Sequence, residues 1–156
     1  MNLTLDYHTA RVAEVIARLR RVLILRALQA TGKTQREIAQ AVNISQPAVS
    51  QQLAATSLEQ VDPSTLIEAG GPVLRRVAEE RGFLDLAVFG SVARNEASPN
   101  SDIDLLVRPP KGTTITGLLA MKRIFESILG RAVDLITYGG LKPGIDDDIL
   151  REAVPL

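Results

Sequence analysis

Two aspartates at alternate positions of an apolar strand constrain this chain more than any other feature. Residues 89–107 read FGSVARNEASPNSDIDLLV. An apolar run, Leu86-Ala87-Val88-Phe89, ends in Gly90-Ser91, a polar loop follows, and a second apolar run carries Asp102 and Asp104. Side chains at i and i+2 of a strand share a face, so the two carboxylates project together. Like charges on one rigid strand repel unless a cation sits between them. Mg²⁺, which takes one or two protein carboxylates plus substrate phosphates, answers that need. Gly90-Ser91, at a strand-to-helix turn, supplies backbone N–H groups and a hydroxyl for a phosphate. A phosphate cradle beside a carboxylate pair points to nucleotide chemistry.

The surrounding pattern alternates helices and strands, which argues for an α/β layer. Pro72 opens a helix closed by Gly82, and strand 84–89 leads to the Gly-Ser turn. Strand 102–108, helix 116–129, strand 132–137, a short helix near 146–150 and a terminal edge strand at 153–155 complete it. Asp134 interrupts the apolar run of the third strand, where a buried carboxylate is costly unless paired or metal-bound. Arg94 can neutralise a phosphate or pair with Glu96, and Asn95 tolerates a positive φ. Lys142 and Asp146-Asp147-Asp148 read as a solvated loop and helix cap, and His8 as a surface residue.

GSVAR…SDIDLLV resembles the signature of the DNA polymerase β-type nucleotidyltransferase superfamily, in its short form the minimal nucleotidyltransferase (MNT) proteins. The resemblance spans roughly residues 72–156 and includes a third element, AVDLI at 132–136. It implies a triad of Asp102, Asp104 and Asp134 acting as catalytic residues and metal ligands, with Gly90, Ser91 and Arg94 binding nucleotide. It further implies Mg²⁺, ATP as donor, and an antitoxin that AMPylates a tyrosine of a HEPN ribonuclease toxin. The small catalytic region leaves little bulk for a private acceptor pocket. That disfavours transfer to a small molecule such as an aminoglycoside. The other alternative is a DNA-binding regulator whose nucleotidyltransferase domain only senses nucleotide or binds a partner.

The first third is helical. Residues 8–29 predict one long helix with Val12, Val15, Ile16, Leu19, Leu23 and Leu28 near one face. Gly32 ends it, and Thr34 with Glu37 forms a capping box for a helix at Gln35–Val42. Asn43-Ile44-Ser45 is a turn, and Ser45 caps a third helix with Pro47 in its first turn. TQREIAQAVNISQPAVSQQLA is similar to the helix-turn-helix of bacterial transcription regulators, with Ala39 at the small buried site and Ile44 and Val49 locking the helices. The DNA-facing residues are then Ser45, Gln46, Ala48, Ser50, Gln51 and Gln52, with flanking arginines adding salt-sensitive affinity. Promoter or operator DNA is the expected partner, and a homodimer the expected state, since helix-turn-helix proteins span two half-sites.

Charge divides the same way. Residues 1–56 hold seven Lys/Arg and three acids, a net of +4, while the remainder holds eleven basic and fifteen acidic residues, a net of −4. We therefore expect an α+β chain: an all-α helix-turn-helix domain at 1–56, a linker at 57–71 with one helical turn at 64–69, and a small α/β nucleotidyltransferase domain with a mixed sheet at 72–156. With 46% hydrophobic residues and 3% aromatics, the cores must be built from Leu, Val, Ile and Ala. The absence of cysteine excludes disulfides and thiolate metal sites. The first residues lack the basic and apolar segments of a secretory signal, and the VLIL run at 22–25 is too short to span a bilayer. A cytoplasmic protein without membrane contact is expected.

Overall fold

The computed structural model describes residues 1–156. Three helices, α1 (Leu3–Ala30), α2 (Gln35–Val42) and α3 (Gln46–Ala55), are followed by α4 (Pro63–Glu79). Then come β1 (Leu84–Phe89), the one-turn α5 (Gly90–Ala93), β2 (Ile103–Arg108), α6 (Ile115–Leu129), β3 (Val133–Thr137), α7 (Asp147–Glu152) and β4 (Val154–Pro155). The sheet order is β3-β2-β1-β4. It is mixed as expected: β1 is antiparallel to β2 and β4, and β2 is parallel to β3. No helix is long and apolar enough to cross a membrane.

The alternating residues of the strands divide between two faces. Leu86, Val88, Ile103, Leu105, Val107 and Val133 join α4 and α6 in the main core. Ala87, Phe89 and Leu106 form a smaller cluster on the opposite face, with Ile136, Leu141, Ile149 and Ala153 packed against it. That second face carries the even-numbered positions of β2 and β3, hence Asp104 and Asp134. The helices thus bury one side of the sheet and leave the carboxylate side only thinly covered.

Helix α1 is longer than expected at its start because the Asn2 side chain accepts a hydrogen bond from the Leu5 N–H and caps it. Its two faces serve different bodies. Ile16, Leu19, Leu23 and Ala27 lie in the same core as the sheet. Leu25 packs with Ile38, Ala39 and Val49 in the helix-turn-helix core, joined by Leu28, Ile44 and Leu53. Ala39, Ile44 and Val49 therefore occupy the positions foreseen. Val12 and Val15 do not: they are 58% and 56% exposed, because the residues of α1 that join the main core begin only at Ile16.

The expected linker at 57–71 is a second correction. A 3-10 turn at Leu58–Gln60 is followed directly by α4, capped by the Asp62 side chain, which accepts from the Thr65 N–H. Pro63 takes the first helical position, and Pro72 sits inside the helix, not at its start. Gly70 belongs there for space: a Cβ on it would stand 3.1 Å from Leu23 Cδ1, tighter than side chains normally pack, whereas one on Gly71 would meet Leu156 Cδ2 at an ordinary 3.4 Å. Pro72 has no N–H for the carbonyl of Glu68, four residues earlier. Arg20 of α1 replaces that donor, its Nη2 bonding Glu68 O at 3.0 Å and its Nε bonding Ala69 O at 2.8 Å. An arginine expected to meet DNA thus repairs a helix.

Arg20→Ala should cost about 1–3 kcal/mol, since it strands the Glu68 carbonyl that Pro72 has already deprived and removes a second bond, to the Ala69 carbonyl. Arg18→Ala, which removes only a 3.5 Å pair with Glu14 on the surface, should cost about 0.5 kcal/mol or less. Urea unfolding of both variants measures the difference.

Candidate active site and helix-turn-helix face

The site is assembled by strand register. Asp104 pairs with Phe89 across the antiparallel β1–β2 ladder and with Asp134 across the parallel β2–β3 ladder. The two aspartates are thus immediate neighbours on one face, with adjacent strands about 4.8 Å apart. Asp102, one residue before β2, has the same parity and is exposed. Asp134 is exposed as well, which corrects the expectation of a buried carboxylate. The cause is its place on an edge strand, with no further strand beyond β3.

Asp104 is half-buried, and its carboxyl is pushed above the usual range, first by burial and then by the charges of Asp134 and Asp102. Arg94 pulls it down, and Glu152 adds to the rise. No three His, Cys, Asp or Glu side chains converge into a ready-made metal cage. The arrangement is a loaded carboxylate with acidic neighbours.

Gly90 closes the other side. It adopts φ +70, and a Cβ there would overlap Asp104 Oδ2 and lie 2.9 Å from its Cγ. Only glycine lets the turn pass this close to the carboxylate. The Gly90 N–H, expected to face a phosphate, instead donates to Glu152 Oε1 at 2.9 Å. Ser91 is half-buried in the first turn of α5. Arg94 donates from Nε to Glu96 at 3.1 Å and from Nη1 to Glu152 at 2.8 Å, which leaves Nη2 outside both pairs. Asn95 has φ 56, the left-handed geometry its side chain tolerates.

Glu152 is the residue that sequence reading missed. The Arg94 hydrogen bond holds its carboxyl below the usual range, against the effect of burial, and the Gly90 amide helps. Its only sequence signal is an acid just before a terminal edge strand, which means nothing until β4 is known to pair with β1. Asp146 and Asp147 accept the Lys142 and Gly144 amides and so brace the expected loop, whereas the expected helix cap is missing: the Asp146 side chain makes no capping bond to α7. His8 is exposed, edge-on to Tyr7.

On the helix-turn-helix, the capping box is complete, and Asn43 makes the turn at φ 57. Ser45 Oγ accepts the Ala48 N–H, so this hydroxyl is already engaged. Ser45, Gln46, Ser50 and Gln51 are exposed, whereas Ala48 and Gln52 are half-buried. Gln52 leans over a depression lined by Arg21, Ile24, Val42 and Ile44. Arg26 bonds the Ser127 and Ile128 carbonyls of α6 and, like Arg20, works inside the fold. Arg11, Arg18, Arg21, Lys33 and Arg36 remain exposed.

Comparison with known proteins agrees with both halves. The family described as "Nucleotidyltransferase domain" matches residues 73–156, more than half of the chain. The chain belongs to this nucleotidyltransferase family. Residues 19–55 match the family described as "Bacterial regulatory protein, arsR family", the helix-turn-helix part. Protein adenylyltransferase MntA of Thermococcus cleftensis is 33% identical over 102 residues, 65% of this chain and 98% of that one. A chain of Methanocaldococcus jannaschii, provisionally named a protein adenylyltransferase, is 41% identical over 75 residues, 48% of this chain and 81% of its own. A solved structure provisionally described as a minimal nucleotidyltransferase superposes with a TM-score of 0.54 at 35% identity, covering 66% of this chain and 99% of that one.

Two opposite stability effects follow for this nucleotidyltransferase. Gly90→Ala should lower Tm, because the left-handed backbone costs about 1–2 kcal/mol for an alanine and its methyl displaces Asp104. Asp104→Asn should raise Tm at neutral pH without added metal. A carboxyl whose folded pKa is raised favours its neutral form, so its ionisation burdens the fold as pH climbs. The gain should vanish at low pH, where Asp104 is itself neutral. Calorimetry at two pH values checks both.

Proposed function

We propose that this nucleotidyltransferase moves the AMP group of ATP, in a Mg²⁺-dependent reaction, to a tyrosine hydroxyl on a HEPN-type toxin. We further propose that its helix-turn-helix binds the promoter of its own operon. The observation that carries the first part is the register of Asp104 beside Asp134, with Asp102 next to them and the Gly90-Ser91 turn against them. The names of the adenylyltransferase relatives support a protein as acceptor.

The residues present fit a divalent cation. Asp104 is under like-charge pressure from two acids, and the nearby Arg94, already paired with two glutamates, offsets only part of it. Asp102, Asp104 and Asp134 would hold Mg²⁺, with phosphate oxygens completing a shell that protein carboxylates alone do not. When bound, the ion neutralises charge on the phosphate oxygens and polarises them. Ser91 offers a hydroxyl and an amide to the triphosphate, and Arg94 offers its remaining amino group. Gly90 contributes by having no side chain. The acceptor oxygen forms a bond to the α-phosphorus as the bond to the β-phosphate oxygen breaks, and pyrophosphate leaves with that electron pair. Asp134, exposed on the edge strand, takes the acceptor proton.

For DNA, the exposed Gln46, Ser50 and Gln51 carry base reading, and the uncommitted Arg and Lys side chains meet phosphates. A homodimer would present two such helices, and the exposed Leu5, Val12 and Val15 of α1 are its proposed seam.

Incubation with labelled ATP, Mg²⁺ and the co-encoded partner should label that partner. Asp104→Ala or EDTA should cut transfer at least about 100-fold, and Asp134→Asn roughly 100-fold or more. Absence of label on every co-encoded partner would refute the transferase reading. On the acid side, and at Mg²⁺ levels too low to saturate the site, activity should fall at a higher pH than an ordinary aspartate would cause, because the raised carboxyl of cation-free Asp104 protonates earlier and stops attracting the cation. A pH–rate profile tests this. Gln51→Ala should weaken operator binding by about 10-fold while leaving random-sequence DNA unaffected, as read by fluorescence anisotropy over a salt series.

A further inference from the structure

The C-terminal element holds a side chain that the reaction outlined above does not use. Glu152 ends α7, and the next residues form β4, which pairs Val154 with Val88 and Pro155 with Ala87 of β1. The Leu156 N–H donates to Leu86 O at 3.0 Å, so the last strand is tied to the strand that ends at Gly90. From this anchor Glu152 reaches two groups at once. Oε1 accepts the Gly90 N–H at 2.9 Å, and Oε2 accepts Arg94 Nη1 at 2.8 Å. Gly90 and Arg94 stand at the two ends of the one-turn α5, and one carboxylate clips both.

We infer that Glu152 is a positioning residue that sets the nucleotide-binding turn, acting through Gly90 and Arg94 and touching no substrate itself. This rests on the nucleotidyl-transfer reading of the site. Three observations support it. Gly90 must lie against Asp104 in a left-handed backbone conformation, a placement that needs a tether, and Glu152 supplies one from outside the turn. Arg94 has its Nε fixed by Glu96 and its Nη1 by Glu152. A guanidinium pinned at two nitrogens offers the third in one orientation, so less side-chain freedom is lost when it meets an anion. Finally, the Glu152 side chain is only 22% exposed against 46% for Arg94, so the acid is the fixed partner and the arginine the reaching one.

The arrangement also accounts for a short tail that otherwise has no role in the chemistry. β4 is two residues long and adds little to a sheet. Its pairing with β1 places Glu152 relative to Gly90 and makes the geometry of the turn depend on β4.

The test is a double-mutant cycle on the full-length protein. Mg·ATP affinity is read by isothermal titration, and kcat and KM are read on the labelled partner. Glu152→Ala should weaken Mg·ATP binding about 10-fold, the size of one charge-assisted bond lost. Glu152→Gln should weaken it only about 3-fold, since its amide oxygen still accepts the Gly90 N–H. In the Arg94→Ala background, Glu152→Ala should add only about 3-fold, the part carried by the Gly90 amide, because the path through Arg94 is already gone. The Gly90 amide proton resonance should move upfield in Glu152→Ala and stay near its place in Glu152→Gln, which checks the bond and the fold without any activity. Equal affinity in wild type and Glu152→Ala, tighter binding in Glu152→Ala, or full additivity with Arg94→Ala overturns the inference. A wild-type protein that neither binds Mg·ATP nor labels a partner overturns the nucleotidyl-transfer reading instead, and is told apart by the wild-type measurement alone.

Discussion

The approach of the bare α-carbon of Gly90 to the carboxylate of Asp104 is the contact on which the site depends. It is possible only because β1 and β2 pair with Phe89 opposite Asp104, so the chain leaving β1 turns directly over that side chain. Any side chain at position 90 pushes the turn and the carboxylate apart. The same register, carried one strand further, sets Asp134 beside Asp104. The charge pressure that suits the site to a cation is therefore a consequence of strand pairing, and it is maintained at the expense of some stability.

Helix α1 plays the equivalent part for the whole molecule. One of its faces completes the core beneath the sheet and another completes the small core of the helix-turn-helix. The two functional surfaces hang on one rigid element. Arg20 and Arg26 strengthen that attachment by bonding carbonyls of α4 and α6. Both arginines are among the charges that make the N-terminal third basic, yet they are spent inside the fold. Net charge by region therefore overstates what is left for DNA.

Most of what failed to be read from sequence failed for one reason: local rules were applied where packing decided. Gly70, Gly71 and Pro72 look like a break between domains, yet they lie in the middle of α4. The glycines fit against Leu23, Leu129 and Leu156, and Arg20 replaces the donor that proline lacks. Val12 and Val15 follow helical spacing but find nothing above them. Asp134 sits in an apolar run but on an edge strand, so it is exposed. Local rules worked where the interaction itself was local, as in the capping box of Thr34 and Glu37, the left-handed Asn95, and the cap at Ser45.

The order of elements, the helix-turn-helix pattern, the Gly90-Ser91 turn and the shared parity of Asp102 and Asp104 were determined by the sequence alone. Each depends on residues a few positions apart, where periodicity and capping act through short-range geometry. The tertiary structure alone decided that Asp134 stands next to Asp104, that Glu152 closes on Gly90 and Arg94, and that no free linker divides the molecule. Those contacts join residues 30 to 62 positions apart or close a shared core. Their formation depends on which strands pair and which helix faces find a partner, a choice made only when the whole chain packs.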